Sequence, residues 1–533
     1  MHQNHISFRD TGYFSSLICD YLDEKETLKQ FYNRLPNLEN FKYQIEEKQA
    51  SFNEDTRATL VSVLKKQYQN VDVSEKTDQN ITVLKNDNTF TITTGHQLNL
   101  FTGPLYFLYK IISTINLSNE LKQQYPDCNF VPIYWMATED HDFEEINYFN
   151  FKGRKVQWNK NVSGAVGELS NDGLSNVFNQ FSEVLGRSNN ANDLKNLFEK
   201  AYVKHNNLTD ATRFLANELF KTYGLVIIDA NDSDLKNEFI PFIKEELLQQ
   251  TSCKTVVETN KKLSSLSDDY KIQVNPREIN LFYLKENLRE RIVLEDGIYK
   301  VKNTNITFTK EAILKEADAH PERFSPNVIM RPLYQEVILP NLCYIGGGGE
   351  LAYWFQLKSN FEAQNVPFPI LLLRNSVLIQ TEQQLEKLQK LNISEQSIFL
   401  KQVALINKKV KEISEIEIDF SSQKNHLKQQ FEELYKLAEQ TDKSFLGAVK
   451  AQEIKQLKGL ENLEKRLLKA QKRKLSDQVS RITELQDQLF PGKSLQERNT
   501  NFSEFYLEYG KGLIPKLIES LEPLNGEFLV LTI

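Results

Sequence analysis

Four polar clusters hold the residues that could do chemistry, and the first three follow apolar runs. In "TTGHQLNLFTGPLYFLYK" (Thr93–Lys110) a glycine, an imidazole and two amides stand close together. Gly95 is free to take positive φ or to let a ligand approach its backbone. His96 suits a hydrogen bond to a phosphate or the stabilisation of a leaving group. Gln97 and Asn99 suit fixing a polar substrate. Gly103 stands before a helix opened by Pro104, where free amides and the helix dipole favour an anion. The same residues also suit a tight connection in which His96 is only a structural hydrogen-bond partner.

The second cluster ends "VPIYWMATEDHDFEEI" and consists of Glu139, Asp140, His141 and Asp142. Three carboxylates and an imidazole in four residues perturb one another's protonation. A carboxylate here can bind a substrate ammonium, hold Mg²⁺ beside a phosphate, or act as a general base. A charge run is otherwise a solvated face, but this one follows a run suited to the middle of a sheet. The third cluster is "GGGGE" (Gly346–Glu350), which reads as a simple loop or a phosphate cradle. It is no P-loop, because no Lys-Ser/Thr pair follows. Just upstream, "RPLYQEVILP" supplies Arg331, Tyr334, Gln335 and Glu336, and Arg331 can fork onto a carboxylate or phosphate. In the fourth, "PGKSLQERN", Lys493 and Arg498 can meet phosphates, although no glycine precedes Gly492 at the P-loop spacing.

The elements around these clusters alternate. Residues 1 to about 85 read as mainly helical. Strands are expected at "FTITTG", at 130–137, in "YGLVIIDAND", in "FPILLLRNS" and before the glycine run, with helices between them. That alternation implies an α/β fold with a parallel sheet, whose ligands bind beyond the carboxyl ends of the strands. Every cluster but the fourth falls at such an end. Residues about 150–220 and 232–319 are less regular and read as insertions in a core spanning 1–375. From 376 to 490 the chain is rich in Lys, Glu, Gln and Leu, and Leu468, Leu475, Ile482 and Leu489 recur every seven residues. That stripe implies a long coiled coil. As one helix, residues 424–489 would reach about 100 Å. The stripe needs either an antiparallel neighbour, such as 377–415, or a second chain. Lys472 and Gln486 interrupt it. Residues 491–533 return to a compact fold, and "GEFLVLTI" reads as a last buried strand.

A chain of 533 residues holds about two to four domains. A net charge of −7 argues against a broad nucleic-acid surface, and no nucleic-acid partner is expected. Cys19, Cys128, Cys253 and Cys343 lack metal-pair spacing, so no zinc is expected and the thiols read as reduced. The start shows no signal peptide, and no run is apolar enough to span a membrane. A cytoplasmic protein is expected.

The stretches "TTGHQLNLFTGPLYFLYK", "VPIYWMATEDHDFEEI", "RPLYQEVILPNLCYIGGGGELAYWFQL" and "LFPGKSLQERN", in this order over most of the chain, together closely resemble the bacterial cysteine-adding enzymes of bacillithiol biosynthesis. The resemblance implies a Rossmann-like core with inserted connecting domains, like those of class I aminoacyl-tRNA synthetases, and a coiled coil that forms a homodimer. The implied reaction joins the carboxyl group of cysteine to the amine of glucosaminyl-malate. A bound adenine nucleotide (ADP) near the coiled coil is also implied, which makes Lys493 and Arg498 nucleotide candidates by position. The family's Gly-Gly-Pro-Gly-Glu loop has Gly348 in place of proline here, which should loosen it. Neither synthetase signature is present.

On this reading ATP activates the carboxylate, because a carboxylate oxygen is not a leaving group by itself. Gly95, His96 and the amides near Gly103 would hold anionic charge. Asp140 or Asp142 would bind an ammonium or Mg²⁺, and His141 or Glu139 would deprotonate the attacking amine. Arg331 or Arg374 would receive the malate carboxylates. Gln97, Asn99, Tyr334, Gln335 and Glu350 are further substrate-binding candidates. A nucleotidyltransferase or synthetase-like enzyme on another substrate, and a non-catalytic coiled-coil scaffold, are the competing readings.

Overall fold

The computed structural model describes residues 3–533 and separates into two compact units. The core unit comprises residues 3–378 and 495–531, and the helical unit comprises 379–494 with 532 and 533.

The core unit is built on five parallel strands: β1 (Thr89–His96), β2 (Asn129–Met136), β3 (Val226–Asp229), β4 (Asn341–Gly346) and β5 (Ile370–Leu373). They lie in the order β5-β4-β1-β2-β3. The connections therefore leave the centre in opposite directions from the neighbours β1 and β4. This is the switch point, where a crevice opens beyond the strand ends. The threonines of β1 are buried because β-branched side chains suit a sheet and their hydroxyls find partners. Thr93 donates to the Asn341 side chain (2.8 Å) and Thr94 to the Ile345 carbonyl (2.7 Å). Phe90, Ile92, Phe130, Leu342, Ile345 and Ile370 form the core below the strand ends.

After β1 the chain makes an unusual turn. Phe101, Thr102 and Gly103 all have positive φ. Asn501 donates to the carbonyls of Phe101 (2.8 Å) and Gly103 (2.6 Å), and the Tyr202 hydroxyl accepts from the Phe101 amide. Phe101 packs against Phe149, Phe181, Phe198 and Phe502. Helix α1 (Tyr106–Gln124) begins beyond the turn. The Leu105 amide is bonded to the Thr500 carbonyl and the Phe107 amide to that of Pro104. The expected anion site at Gly103 is thus filled by the protein's own carbonyls.

The second insertion contains helix α2 (Ser233–Gln249) and an antiparallel five-stranded sheet. The hairpin of that sheet, Leu281–Lys285 with Leu288–Glu295, approaches the crevice. Helices α3 (Met330–Ile338) and α4 (Gly348–Trp354) flank β4. At the other end of the chain, residues 528–531 pair antiparallel with Gln3–Ile6.

The helical unit is not one rod. It holds α5 (Gln402–Ile413), α6 (Ser421–Ala438), α7 (Lys443–Lys474) and α8 (Ser476–Leu489). Asp442 caps α7 by accepting from the Ser444 and Phe445 amides, and the chain leaves helical geometry at Leu475. Helices α6 and α7 form a hairpin around Phe431, Ala438 and Val449. Helix α8 packs on α5, so the 377–415 segment does supply a neighbour within the chain. Gln486 is tolerated on the buried stripe because its amide donates to the carbonyls of Ile398 (2.9 Å) and Leu400 (2.7 Å). No helix among the described residues is long and apolar enough to cross a membrane.

The turn after β1 yields a test. Gly103 sits at φ 63°, ψ −132°, and a β-carbon there would lie 2.7 Å from Cβ of Asn99. Gly103→Ala should cost about 2 kcal/mol or more of stability. Gly349→Ala, where a β-carbon meets nothing within 4 Å, should shift stability by less than about 0.5 kcal/mol. Equal thermal melting shifts for the two variants would contradict the account of the turn.

Candidate active site

A cavity of about 1190 Å³ opens beyond the carboxyl ends of β1, β2 and β4. Its wall combines Gly95–Gln97, Glu139–His141, Gly347–Glu350 and Arg374 from the strand ends with Arg277, Arg289 and Arg291 from the second insertion. Lys110, Arg331 and Arg498 complete its cations. Seven cationic side chains face five carboxylates (Glu139, Asp140, Glu145, Glu290, Glu350), in a chain whose net charge is −7. The cleft therefore suits anions although the whole molecule does not.

The floor is an ion pair between a buried lysine and a half-buried glutamate. Lys110, on α1, donates to the Gly95 carbonyl (2.6 Å) and pairs with Glu350 (2.7 Å). Glu350 also accepts from the Tyr344 hydroxyl and the Gly347 amide, each at 2.8 Å. Burial acts to raise the Glu350 carboxyl, but Lys110 and these donors outweigh it and hold it below the usual carboxylate range. Glu350 is thus a structural anchor rather than a free substrate ligand. Gly95 does not use positive φ; a β-carbon there would come within 3.3 Å of the Tyr344 hydroxyl. Gly348 occupies the first position of α4, where proline is also at home.

His96 is 6% exposed and lies against Tyr106 and Phe107. It hydrogen-bonds the Thr102 backbone, while Nε2 is buried without a partner. The Thr102 bond favours the protonated ring, so the ring donates it from Nδ1, and Nε2 presents a lone pair. Burial, with Lys110 nearby, pushes the pKa down to about 3. A neutral ring offering a lone pair does not suit a phosphate. It suits a substrate N–H, O–H or S–H.

His141 has the opposite polarity. A guanidinium can only donate, and Arg289 Nη1 stands 2.7 Å from His141 Nδ1. The neutral ring therefore carries its proton on Nε2 and offers a donor, not the base expected of it. Arg289 is held in place by stacking 4.0 Å from the Phe282 ring centroid and by Ser325. Asp140 accepts from Gln97 (2.9 Å) and from the His141 amide (2.7 Å). Burial acts to raise its pKa, but the hydrogen bonds from Gln97 and the His141 amide and the charge of Arg289 carry it well below the usual range. Glu139 pairs through one oxygen with Lys236, which is fully buried and also donates to the Phe324 carbonyl.

Arg331 has no carboxylate partner. It donates to Gln335 (3.0 Å) and reaches Tyr353 (3.5 Å), with Trp135 and Tyr344 near its planar group. Arg374 lines the cleft but is committed to a bidentate pair with Glu497 (2.7 and 3.0 Å), so it is not available for the malate carboxylates expected there. Asn99, Gly103, Asp142, Tyr334, Gln335 and Lys493 do not line the cleft. Asn99 donates to the Glu145 carbonyl and Tyr334 to that of Ala230; Asp142 and Lys493 are exposed. Arg498, a nucleotide candidate by position, lines the core cleft.

Sequence reasoning passed over Lys110 and the hairpin arginines. Both left a signal. Lys110 is the one charge in a helix run that is otherwise apolar, and such a charge requires a partner. Arg289 and Arg291 are two apart on a strand and so share a face.

His96 sets a pH dependence. The unfolded imidazole titrates near 6.5 and the folded one near 3. Between those values the unfolded chain binds a proton that the folded chain refuses, so the contribution is complete above about pH 6.5 and is lost as pH falls below it. His96→Gln should remove about 2 kcal/mol of the stability loss between pH 6.5 and 5. Parallel wild-type and variant urea curves across that window would contradict a buried neutral ring.

The family comparison agrees with this architecture. The model described as "Bacillithiol biosynthesis BshC, N-terminal Rossmann-like domain" matches residues 1–375, and its "C-terminal coiled-coil domain" counterpart matches 377–533. Relatives named "Putative cysteine ligase BshC" include a Flavobacterium johnsoniae protein, 63% identical over 528 residues and covering 99% of both chains. A Christiangramia forsetii protein is 61% identical, covering 100% of this chain and 99% of its own. One from Bacillus thuringiensis subsp. konkukian is 26% identical, covering 96% and 97%. With both family domains matched along its whole length and the strand-end cleft in place, the chain belongs to the BshC family of bacillithiol biosynthesis.

Proposed function

We propose that the protein joins the carboxyl group of L-cysteine to the amine of glucosaminyl-malate, forming bacillithiol, with ATP activating the carboxyl group. The observation that carries this reading is the excess of cations in a cleft at the switch point of an acidic chain. The acceptor brings two carboxylates, cysteine a third and a nucleotide its phosphates. Arg331 takes a malate carboxylate, since it lacks an acidic partner whereas Arg374 is already paired with Glu497. Asp140, held ionised, takes the cysteine ammonium. Glu139 keeps one oxygen outside its pair with Lys236, and that oxygen takes the proton lost by the attacking amine. His141 Nε2–H steadies the oxygen on which negative charge develops.

A nucleotide would supply the leaving group that a free carboxylate lacks. Its phosphates suit Arg498 and the hairpin arginines, which line the cleft without a carboxylate hydrogen-bond partner, and an accompanying Mg²⁺ would share Asp140. Lys493 remains a candidate by position only. The helical unit keeps Phe445 and Leu463 on α7 exposed, eighteen residues and so about five turns apart on one side of the helix, and we read this face as the homodimer contact. Phe445→Asp with Leu463→Asp should shift the sedimenting species from dimer to monomer; an unchanged sedimentation coefficient would rule this face out.

Incubation with cysteine, glucosaminyl-malate and ATP should give a product whose mass is the sum of the two substrates less one water. Release of AMP would identify an acyl-adenylate and release of ADP an acyl-phosphate. Asp140→Asn and His141→Ala should stay folded and lose about a hundredfold in kcat/KM. Full activity in both would remove this wall from the mechanism, and no product with any nucleotide would contradict the reading.

A further inference from the structure

Behind Arg331 lies a chain of hydrogen bonds that nothing in the reaction explains. Gln335 is one helical turn on from Arg331 along α3 and is fully buried. Its Oε1 accepts from Arg331 Nη1 (3.0 Å), and its Nε2 donates to Glu336 Oε1 (3.0 Å). Glu336, 1% exposed, also accepts from Asn341 Nδ2 (2.6 Å) and pairs with Lys48 through Oε2 (3.1 Å). Lys48 is itself buried, and it reaches in from a separate helix, Leu38–Ser51. Asn341 is in turn bonded to the threonines of β1.

The direction of this chain is fixed by chemistry. A carboxylate only accepts and a guanidinium only donates. Gln335 can satisfy both in one orientation alone, with its amino group toward Glu336 and its carbonyl toward Arg331. Without the carboxylate, the Gln335 amide could turn and set its amino group against the guanidinium. We propose that Glu336 is a positioning residue: through the Gln335 amide it holds the Arg331 guanidinium in the cleft as a clamp for a substrate carboxylate. Burial raises the Glu336 carboxyl above its usual range, the Lys48 ammonium opposes that shift and favours the accepting carboxylate, and Asn341 ties the whole to β1, whose end forms the cleft floor. The proposal rests on the reading that Arg331 binds a carboxylate of glucosaminyl-malate.

A double-mutant cycle tests it, with the affinity for glucosaminyl-malate measured by calorimetry in the full-length protein. Arg331→Gln should weaken binding about tenfold or more, the range for a hydrogen bond to a charged group. Glu336→Gln should weaken it about fivefold or more with Arg331 present, and less than about twofold in the Arg331→Gln background. A merely structural role for Glu336 would give equal losses in both backgrounds and would overturn the relay while leaving Arg331 as a ligand. Unchanged affinity in Arg331→Gln would overturn both. If Glu336→Gln does not fold, Gln335→Met takes its place in the same cycle, since it removes the relay amide and keeps the ion pair with Lys48. The same two patterns of loss then decide the question.

Discussion

The pair of buried Lys110 and half-buried Glu350 is the constraint on which the cleft depends. Lys110 extends from the helix after β1 and holds both the carbonyl at the end of that strand and the carboxylate that opens α4 after β4. It therefore ties together the two strand ends on either side of the switch point. Removing Glu350 leaves the Lys110 charge buried and unpaired, which costs about 3–5 kcal/mol. The pair also explains local features that would otherwise be separate. Gly95 is glycine because Tyr344, itself bonded to Glu350, needs the space. Glu350 stands at its place because it both closes the first turn of α4 and neutralises Lys110.

Above that floor the protein fixes the polarity of each group with partners that can act in only one sense. Arg289 makes His141 a donor, the Thr102 carbonyl leaves His96 an acceptor, and Glu336 turns Gln335 toward Arg331. Lys236 occupies one oxygen of Glu139 and leaves the other. Such preorganisation matters because reorienting dipoles during reaction is a main cost that a folded site avoids. The cations that remain without carboxylates then set what can enter: ligands bearing several negative charges.

Much of this was legible in the sequence. The parallel sheet and its strand ends followed from apolar runs closing in polar clusters, and the clusters at Gly95–Gln97, Glu139–His141 and Gly347–Glu350 do converge on one cleft. The helical region was legible as a stripe, but not its breaks at Asp442 and Leu475, because caps act locally and a heptad does not encode them. Site details were less legible wherever a partner is distant in sequence. Arg374 reads as a free cation until Glu497, 123 residues away, is seen to hold it. Gly103 and Pro104 read as an opened helix until Thr500 and Asn501 fill the turn. His141 reads as a base until the hairpin brings Arg289 to it. Periodicity reports which face is buried; it does not report which far residue arrives there.

The most direct measurement is a crystal structure of the protein with glucosaminyl-malate bound. The account predicts the malate carboxylates on Arg331 and the glucosamine amine turned toward Glu139, beyond the ends of β1 and β4. Density for the acceptor anywhere else, with the Arg331 guanidinium still bonded only to Gln335 and Tyr353, would contradict it.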